Sequence, residues 1–273
     1  MPEKPEVVTV ARSLESKILH KTITECHVFW NNIIAYPSVQ DFIKKVIGQT
    51  IYHISTRGKF LVLTLDDYSL LIHLRMEGKF FFRDAEHPIQ KHEHVEFILD
   101  HDISFRYHDV RKFGKMYLIH KEDTYQVKPL SDLGLEYNDT KLTKEYLYQK
   151  IHSKKLPIKT VLLDQSIITG IGNIYDDEIL YQSRILPSRS ASTITMEECE
   201  KIIDNCRDIL DKAIQFGGTT IKSFTSSEGV HGLFQNELLV HGRRGMACSN
   251  CGSEIQKIAL GGRGTYYCFK CQK

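Results

Sequence analysis

The chain has 273 residues, 41% of them hydrophobic and 26% charged, with a formal net charge of +2. These values describe an ordinary globular protein with enough chain for a real core or two domains. No apolar run approaches the ~18 residues of a membrane helix, and acids interrupt the start of the chain, so no signal peptide is expected.

In chain order, Val7, Val10, Leu14 and Ile18 recur at helical spacing and predict a first helix with one face in a core. Pro5 suits its first turn and Glu6 its positive end. From about Ile51 to Leu118 short β-rich runs follow one another, separated by turn pairs such as Asp66-Asp67 and His101-Asp102. That texture predicts an antiparallel meander or sandwich. From about Asn138 the pattern becomes helical. A helix is expected near Pro157, a glycine break at Gly170 and Gly172, and a second helix near Asn173, with Asn173 as N-cap at an anion-favouring helix end. Asp176, Asp177 and Glu178 would repel a phosphate there, and are read as stabilising the first helical turn. Thr195 and Glu198 form a capping-box pattern that opens a further helix, and Gly217-Gly218 closes it.

The tail is basic, with six cations against one anion from Val240 to Lys273. This suits a polyanion, although solvated charge runs are commoner. Seven cysteines are an odd count for a disulfide framework and fit a reducing compartment. Four of them, Cys248-x2-Cys251 and Cys268-x2-Cys271, have zinc-ribbon spacing, set against four unrelated thiols or two disulfides. Four thiolates leave no open position for water, so one structural Zn2+ is expected and the chemistry must lie elsewhere. Between the knuckles, Gly261, Gly262 and Gly264 flank Arg263. Alone this is a solvated turn; beside a basic ribbon Arg263 becomes a phosphate-contact candidate. Met76, Arg111 and Phe113 are residue types of core or surface, and also of wedges between stacked bases.

Taken in order, MPEKPEV, RGKFL, HLRMEG, KHEHVEF, DVRKFG, GIGNIY, FGGTT, FQNELLVHGRRG and the cysteine ribbon resemble the bacterial formamidopyrimidine-DNA glycosylases over essentially the whole chain. These are base-excision repair enzymes, also known as 8-oxoguanine DNA glycosylases. The resemblance implies an α+β chain: an N-terminal β-sandwich with a leading helix (1–134), a helix-two-turn-helix domain (135–237) and a four-cysteine zinc finger (238–273), with DNA across the cleft between domains. It implies Pro2 as nucleophile, Glu3 as partner acid, and Lys59 and Arg263 as catalytically important phosphate ligands. Met76, Arg111 and Phe113 would fill the gap left by an extruded nucleotide. His73, His92, Lys154 and Asn173 would contact DNA, and the segment from Thr219 to Leu233 would cover the damaged base. The implied partner is damaged double-stranded DNA, the implied form a monomer without membrane attachment, and the implied location a bacterial cytoplasm, at the nucleoid through DNA binding. Once Met1 is removed, Pro2 carries a secondary amine able to attack C1′ and form an iminium, which permits β- and then δ-elimination; no catalytic metal is needed.

Three residues depart from the family pattern: Lys4, Val110 and Lys112. Lys4 either lowers the pKa of the nearby terminal amine or simply reaches solvent. Two other functions compete: an endonuclease-eight-like glycosylase for oxidised pyrimidines, and a non-catalytic damaged-DNA-binding protein. The wedge residues and FGGTT favour the purine branch, and Pro2, Glu3, Lys59 and Arg263 together favour catalysis.

Overall fold

The computed structural model describes residues 1–219 and 232–273. Two compact units emerge: one built from Met1–Ser131 with Thr219 and Gly232, the other from Asp132–Gly218 with Leu233–Lys273. The helical segment and the cysteine ribbon, expected as separate domains, share the second unit.

In the first unit, helix α1 (Lys4–Ile18) buries Val7, Val10, Leu14 and Ile18, the four residues set at helical spacing. Strands β1 (Ile23–Val28) and β2 (Ile34–Tyr36) and helix α2 (Val39–Val46) follow. Sequence patterning does not reveal these three, because each is too short to establish a period. The β-rich region resolves into β3 (His53–Arg57), β4 (Phe60–Thr64), β5 (Tyr68–His73), β6 (Lys79–Asp84), β7 (Glu93–Leu99), β8 (Ile103–His108) and β9 (Lys115–His120). They form a four-stranded sheet, β1-β7-β8-β6, and a five-stranded sheet, β2-β9-β5-β4-β3. All pairings in these two sheets are antiparallel except β2 with β9. The two sheets share one core with α1, in which Leu61, Leu63, Ile72, Phe80, Phe97 and Phe105 are buried. Burying such side chains stabilises by about 1.5–3 kcal/mol each before chain entropy is counted.

The second unit holds β10 (Leu135–Glu136), α3 (Lys144–Ile151), α4 (Ile158–Leu162), β11 (Ile168–Thr169), α5 (Asn173–Gln182) and α6 (Met196–Gln215). A short hairpin, β12 (Gln256–Leu260) and β13 (Arg263–Tyr267), completes it. Thr195 Oγ1 accepts from Glu198 N–H at 3.2 Å and Glu198 returns a bond to Thr195 N–H at 2.9 Å, the capping box expected for α6. The helix expected near Pro157 is only α4, five residues long. Among the described residues no helix is long and apolar enough to cross a membrane.

Candidate nucleic-acid interface and metal centre

The head of α1 carries the first site residues. Glu3 is the N-cap, and its backbone N–H donates to Glu6 Oε2 at 2.8 Å within a reciprocal capping box. Glu3 therefore has a structural role as well as the expected chemical one. Glu6 does more than face a helix dipole. Its Oε1 accepts from Thr219 N–H at 2.8 Å and from Thr219 Oγ1 at 3.0 Å, so a buried carboxylate ties the helix head to Thr219. The rest of the expected base-covering segment, 220–231, lies outside the described residues. Lys4 does not reach solvent. It is 7% exposed, and its Nζ donates to Thr56 Oγ1 at 3.0 Å on β3.

The same strand leads to Lys59. Arg57 pairs with Phe60 across β3 and β4, so Gly58 and Lys59 form the two-residue turn and Lys59 is buried at its tip. His73, at the end of β5, is paired with Phe60 and packs edge-on against its ring at 4.6 Å. Burial, followed by the charges of Arg75 and Lys59, pushes the His73 pKa down to about 3. Its Nδ1 accepts from Arg75 N–H at 3.0 Å, so the ring is neutral and only Nε2–H remains for an outside partner.

The residues expected to act as a wedge sit on two loops held by one tyrosine. Met76 is in the turn between β5 and β6, which ends at Gly78; Arg111 and Phe113 are in the loop after β8, which ends at Gly114. The Tyr107 hydroxyl is so close to both glycines that a Cβ would lie 2.2 Å from it at Gly78 and 1.7 Å at Gly114. No side chain fits at either position. Glycine in these two motifs is thus a packing requirement that brings the loops together. Asp109, fully buried, shapes the second loop: it accepts from the backbone N–H groups of Arg111 (3.0 Å), Phe113 (2.8 Å) and Gly114 (2.8 Å). The Arg111 guanidinium stacks over the exposed Phe113 ring at 4.8 Å. Sequence reasoning does not single out Asp109; the one available signal is that an aspartate at the start of a turn tends to accept from the backbone N–H two residues on. His92 precedes β7 beside His108, ring centroids 5.7 Å apart, and His94 Nε2 bonds the Asp109 carbonyl at 2.8 Å.

In the second unit the N-cap of α5 is Gly172, not Asn173, which occupies the first helical position. The Asn173 Nδ2 group donates to the Gly264 carbonyl at 3.0 Å, so this side chain joins α5 to β13. Gln165 props the preceding turn, accepting from Gly170 N–H and donating to the Ile171 carbonyl. Lys154 is half-buried in the turn after α3. The acids read as helix-start charges are instead buried. Asp177 binds Lys159 Nζ at 2.5 Å, His241 Nδ1 at 2.7 Å and Tyr266 N–H at 3.2 Å. Glu178 accepts the backbone N–H groups of Leu239, Val240 and His241. Burial raises the Glu178 carboxyl pKa against those three donors. The period of α5 conceals this, since residues Ile174 to Tyr181 are buried on every side of the helix.

Leu260 pairs with Arg263, so Gly261 and Gly262 form the hairpin tip, with φ of 56° and 75°. Two successive left-handed residues are what a type I′ turn requires. Arg263 follows directly, exposed at the start of β13. At the other end of the hairpin the Sγ atoms of Cys248, Cys251, Cys268 and Cys271 all lie within 4.8 Å of one another. Tetrahedral Zn–S bonds of about 2.3 Å place sulfurs ~3.8 Å apart, so the four are positioned to bind one zinc ion. Tyr181 Oη lies 3.2 Å from Cys248 Sγ, and Asn250 Nδ2 donates to Cys271 Sγ at 3.3 Å, supplying the outer contacts a thiolate site uses.

An α+β sandwich, a two-helix turn and a four-cysteine ribbon that presents an arginine define a class of nucleic-acid-processing protein. Comparison with known proteins makes it specific. Residues 1–116 match the formamidopyrimidine-DNA glycosylase N-terminal domain, residues 133–225 that family's H2TH domain, and residues 246–273 the zinc finger found in FPG and IleRS. The formamidopyrimidine-DNA glycosylase of a Bacillus cereus strain is 43% identical over 273 residues, covering 100% of this chain and 99% of that protein. That of Bacillus subtilis is 41% identical over the same length, again with 100% and 99% covered. Wild-type Lactococcus lactis Fpg (MutM) bound to N7-benzyl-Fapy-dG DNA superposes with a TM-score of 0.92 at 36% identity, covering 100% of both chains. The Lactococcus lactis enzyme bound to abasic-site DNA gives 0.92 at 36% identity over 99% of both. The chain belongs to the formamidopyrimidine-DNA glycosylase family.

Proposed function

We infer that the protein is a base-excision repair glycosylase and AP lyase that removes oxidised purines, 8-oxoguanine and formamidopyrimidines, from duplex DNA. The observation that carries this reading is the match of all three family segments, in order, to a chain that retains Pro2 and Glu3 at the head of a helix. With Met1 removed, Pro2 is a secondary amine; free α-amino groups have a pKa of about 7.7–8.0, so a reactive neutral fraction exists near neutral pH. Its lone pair forms a bond to C1′ as the glycosidic bond breaks and the base leaves with a proton. Cleavage of C1′–O4′, with a proton delivered to O4′, opens the sugar and gives the iminium, which acidifies C2′. Loss of the C2′ proton expels the 3′ phosphate, and loss of a second proton, from C4′, then expels the 5′ phosphate. Glu3 moves protons to and from the sugar. Lys59 and Arg263 bind the flanking phosphates, as do His73 through Nε2–H, His92, Lys154 and Asn173. Met76, Arg111 and Phe113 occupy the hole left by the extruded nucleotide. The zinc holds the hairpin that presents Arg263 and takes part in no bond change.

Binding alone does not exclude the pyrimidine branch, because Lactococcus lactis Fpg was also crystallised with oxidised-pyrimidine DNA. Purine preference is supported by the full-length match and the intact Met76, Arg111 and Phe113 set. The location that follows is the bacterial cytoplasm, at the nucleoid. The test is borohydride trapping and product analysis on duplexes with 8-oxoguanine opposite cytosine and with thymine glycol, using protein whose N-terminus is verified by mass. A trapped band and faster 8-oxoguanine release are expected. Cleavage by protein that retains Met1 would overturn the amine mechanism, and faster release of thymine glycol the purine assignment.

A further inference from the structure

One exposed cluster in the first unit has no part in the chemistry above. Trp30, the single tryptophan of the chain, precedes a one-turn 3₁₀ helix (Asn31–Ile33) between β1 and β2. Phe29 and Trp30 are 48% and 37% exposed, and with Asn31 and Asn32 they line a shallow concavity. The turn is fixed in place: Phe29 N–H donates to the His94 carbonyl at 2.9 Å, and Lys115 Nζ donates to the Asn32 carbonyl. It meets the wedge loop through Lys112, whose Nζ lies 3.8 Å from the centre of the indole ring. Lys112 stands between Arg111 and Phe113 in the left-handed conformation, with φ of 58°.

An ammonium held over an indole keeps its other hydrogens for a second partner, and the ring removes much of the entropy that a free lysine loses on binding. Two exposed aromatic rings beside it offer flat apolar area of the kind that packs on sugars and bases. The nearest carboxylate on the wedge loop, Asp109, is buried and committed to backbone N–H groups, so the outer face here is cationic. Charge and continuity with the wedge loop both select DNA as the occupant.

We propose that Phe29, Trp30 and Lys112 form a DNA-backbone contact continuous with the wedge loop, in which Lys112 pairs with a phosphate and the indole packs on the adjoining deoxyribose. The proposal rests on the glycosylase reading and extends its footprint beyond the residues carried by the family motifs.

The lone tryptophan makes the test direct. A labelled duplex carrying a tetrahydrofuran abasic analogue is bound to the wild-type chain, with binding followed by anisotropy and Trp30 exposure by acrylamide quenching in the same sample. Saturating duplex should lower the quenching constant about twofold or more, as stacking or packing shields a ring. Lys112→Ala should weaken binding about three- to tenfold and reduce the log–log salt slope by about 0.9, the loss of one phosphate contact. Lys112→Arg should restore the slope. Unchanged quenching on a duplex that anisotropy shows to be bound, or an unchanged salt slope in Lys112→Ala, would overturn the contact while leaving the glycosylase reading intact. No duplex binding by the wild-type chain would overturn both.

Discussion

Replacing Asp177 by Asn should damage the zinc-bearing half of the molecule far more than its small change in shape suggests. Asp177 and Lys159 have side chains 0% and 1% exposed and are 2.5 Å apart. The substitution keeps an oxygen for Tyr266 N–H but removes the charge, which leaves a buried ammonium without a counterion. Breaking such a pair costs about 3–5 kcal/mol. With a urea m-value of roughly 1–3 kcal/mol per M, the midpoint should fall by about 1–5 M. The readout must report on the second unit, since Trp30 lies in the first; zinc release to a chelating dye during urea titration does so. Adding Lys159→Met removes the stranded charge, and much of the lost stability should return, because the uncompensated buried ammonium is the main cost of the single substitution. A release midpoint within about 0.3 M of wild type for Asp177→Asn, or no recovery in the double variant, would refute this reasoning.

Removing zinc with a chelator should unfold the β12–β13 hairpin and abolish cleavage of 8-oxoguanine DNA, both restored by one equivalent of zinc; cleavage that survives verified removal would contradict a structural role. The His73 ring, whose pKa falls to about 3 in the fold from an ordinary 6.5, takes up a proton more readily when unfolded. Its contribution is therefore complete above about pH 6.5 and is lost as pH falls toward 3, at up to about 1.4 kcal/mol per pH unit. Urea unfolding of wild type and His73→Asn between pH 7 and 4 should show a shallower decline in the variant; parallel curves would exclude His73 as a source. Lys4→Leu removes the cation tethered to Thr56, and the pH midpoint of borohydride trapping should move upward, whereas superimposable profiles would show that this lysine does not act on the amine.

Much of the site could be read from residue order because its parts are local. A C-x2-C knuckle, the Gly261-Gly262 turn and the Thr195–Glu198 box each form within a few residues, so spacing alone reveals them. The spacing of Val7, Val10, Leu14 and Ile18 likewise identifies the buried face of α1. Reading fails where a residue's partner is distant. Asp177 and Glu178 look like helix-start charges, yet their partners lie up to 89 residues away, in the ribbon and before it. Asn173 looks like a cap and is instead a tether to Gly264. Tyr107, which sets the approach of the loops ending at Gly78 and Gly114, carries no motif that distinguishes it from an ordinary strand residue.

The sequence by itself supplied what the proposed chemistry rests on: a proline whose amine is exposed once Met1 is lost, an acid beside it, four thiols spaced for one metal, and the order of motifs that places the chain in its family. These are properties of residue type and separation along the chain. Only the tertiary structure decided that Lys4 is buried against Thr56, that Glu6 holds Thr219, and that Tyr107 demands glycine at both Gly78 and Gly114. Each depends on two segments meeting in space, and a buried charge or hydroxyl takes its meaning from the partner it finds there.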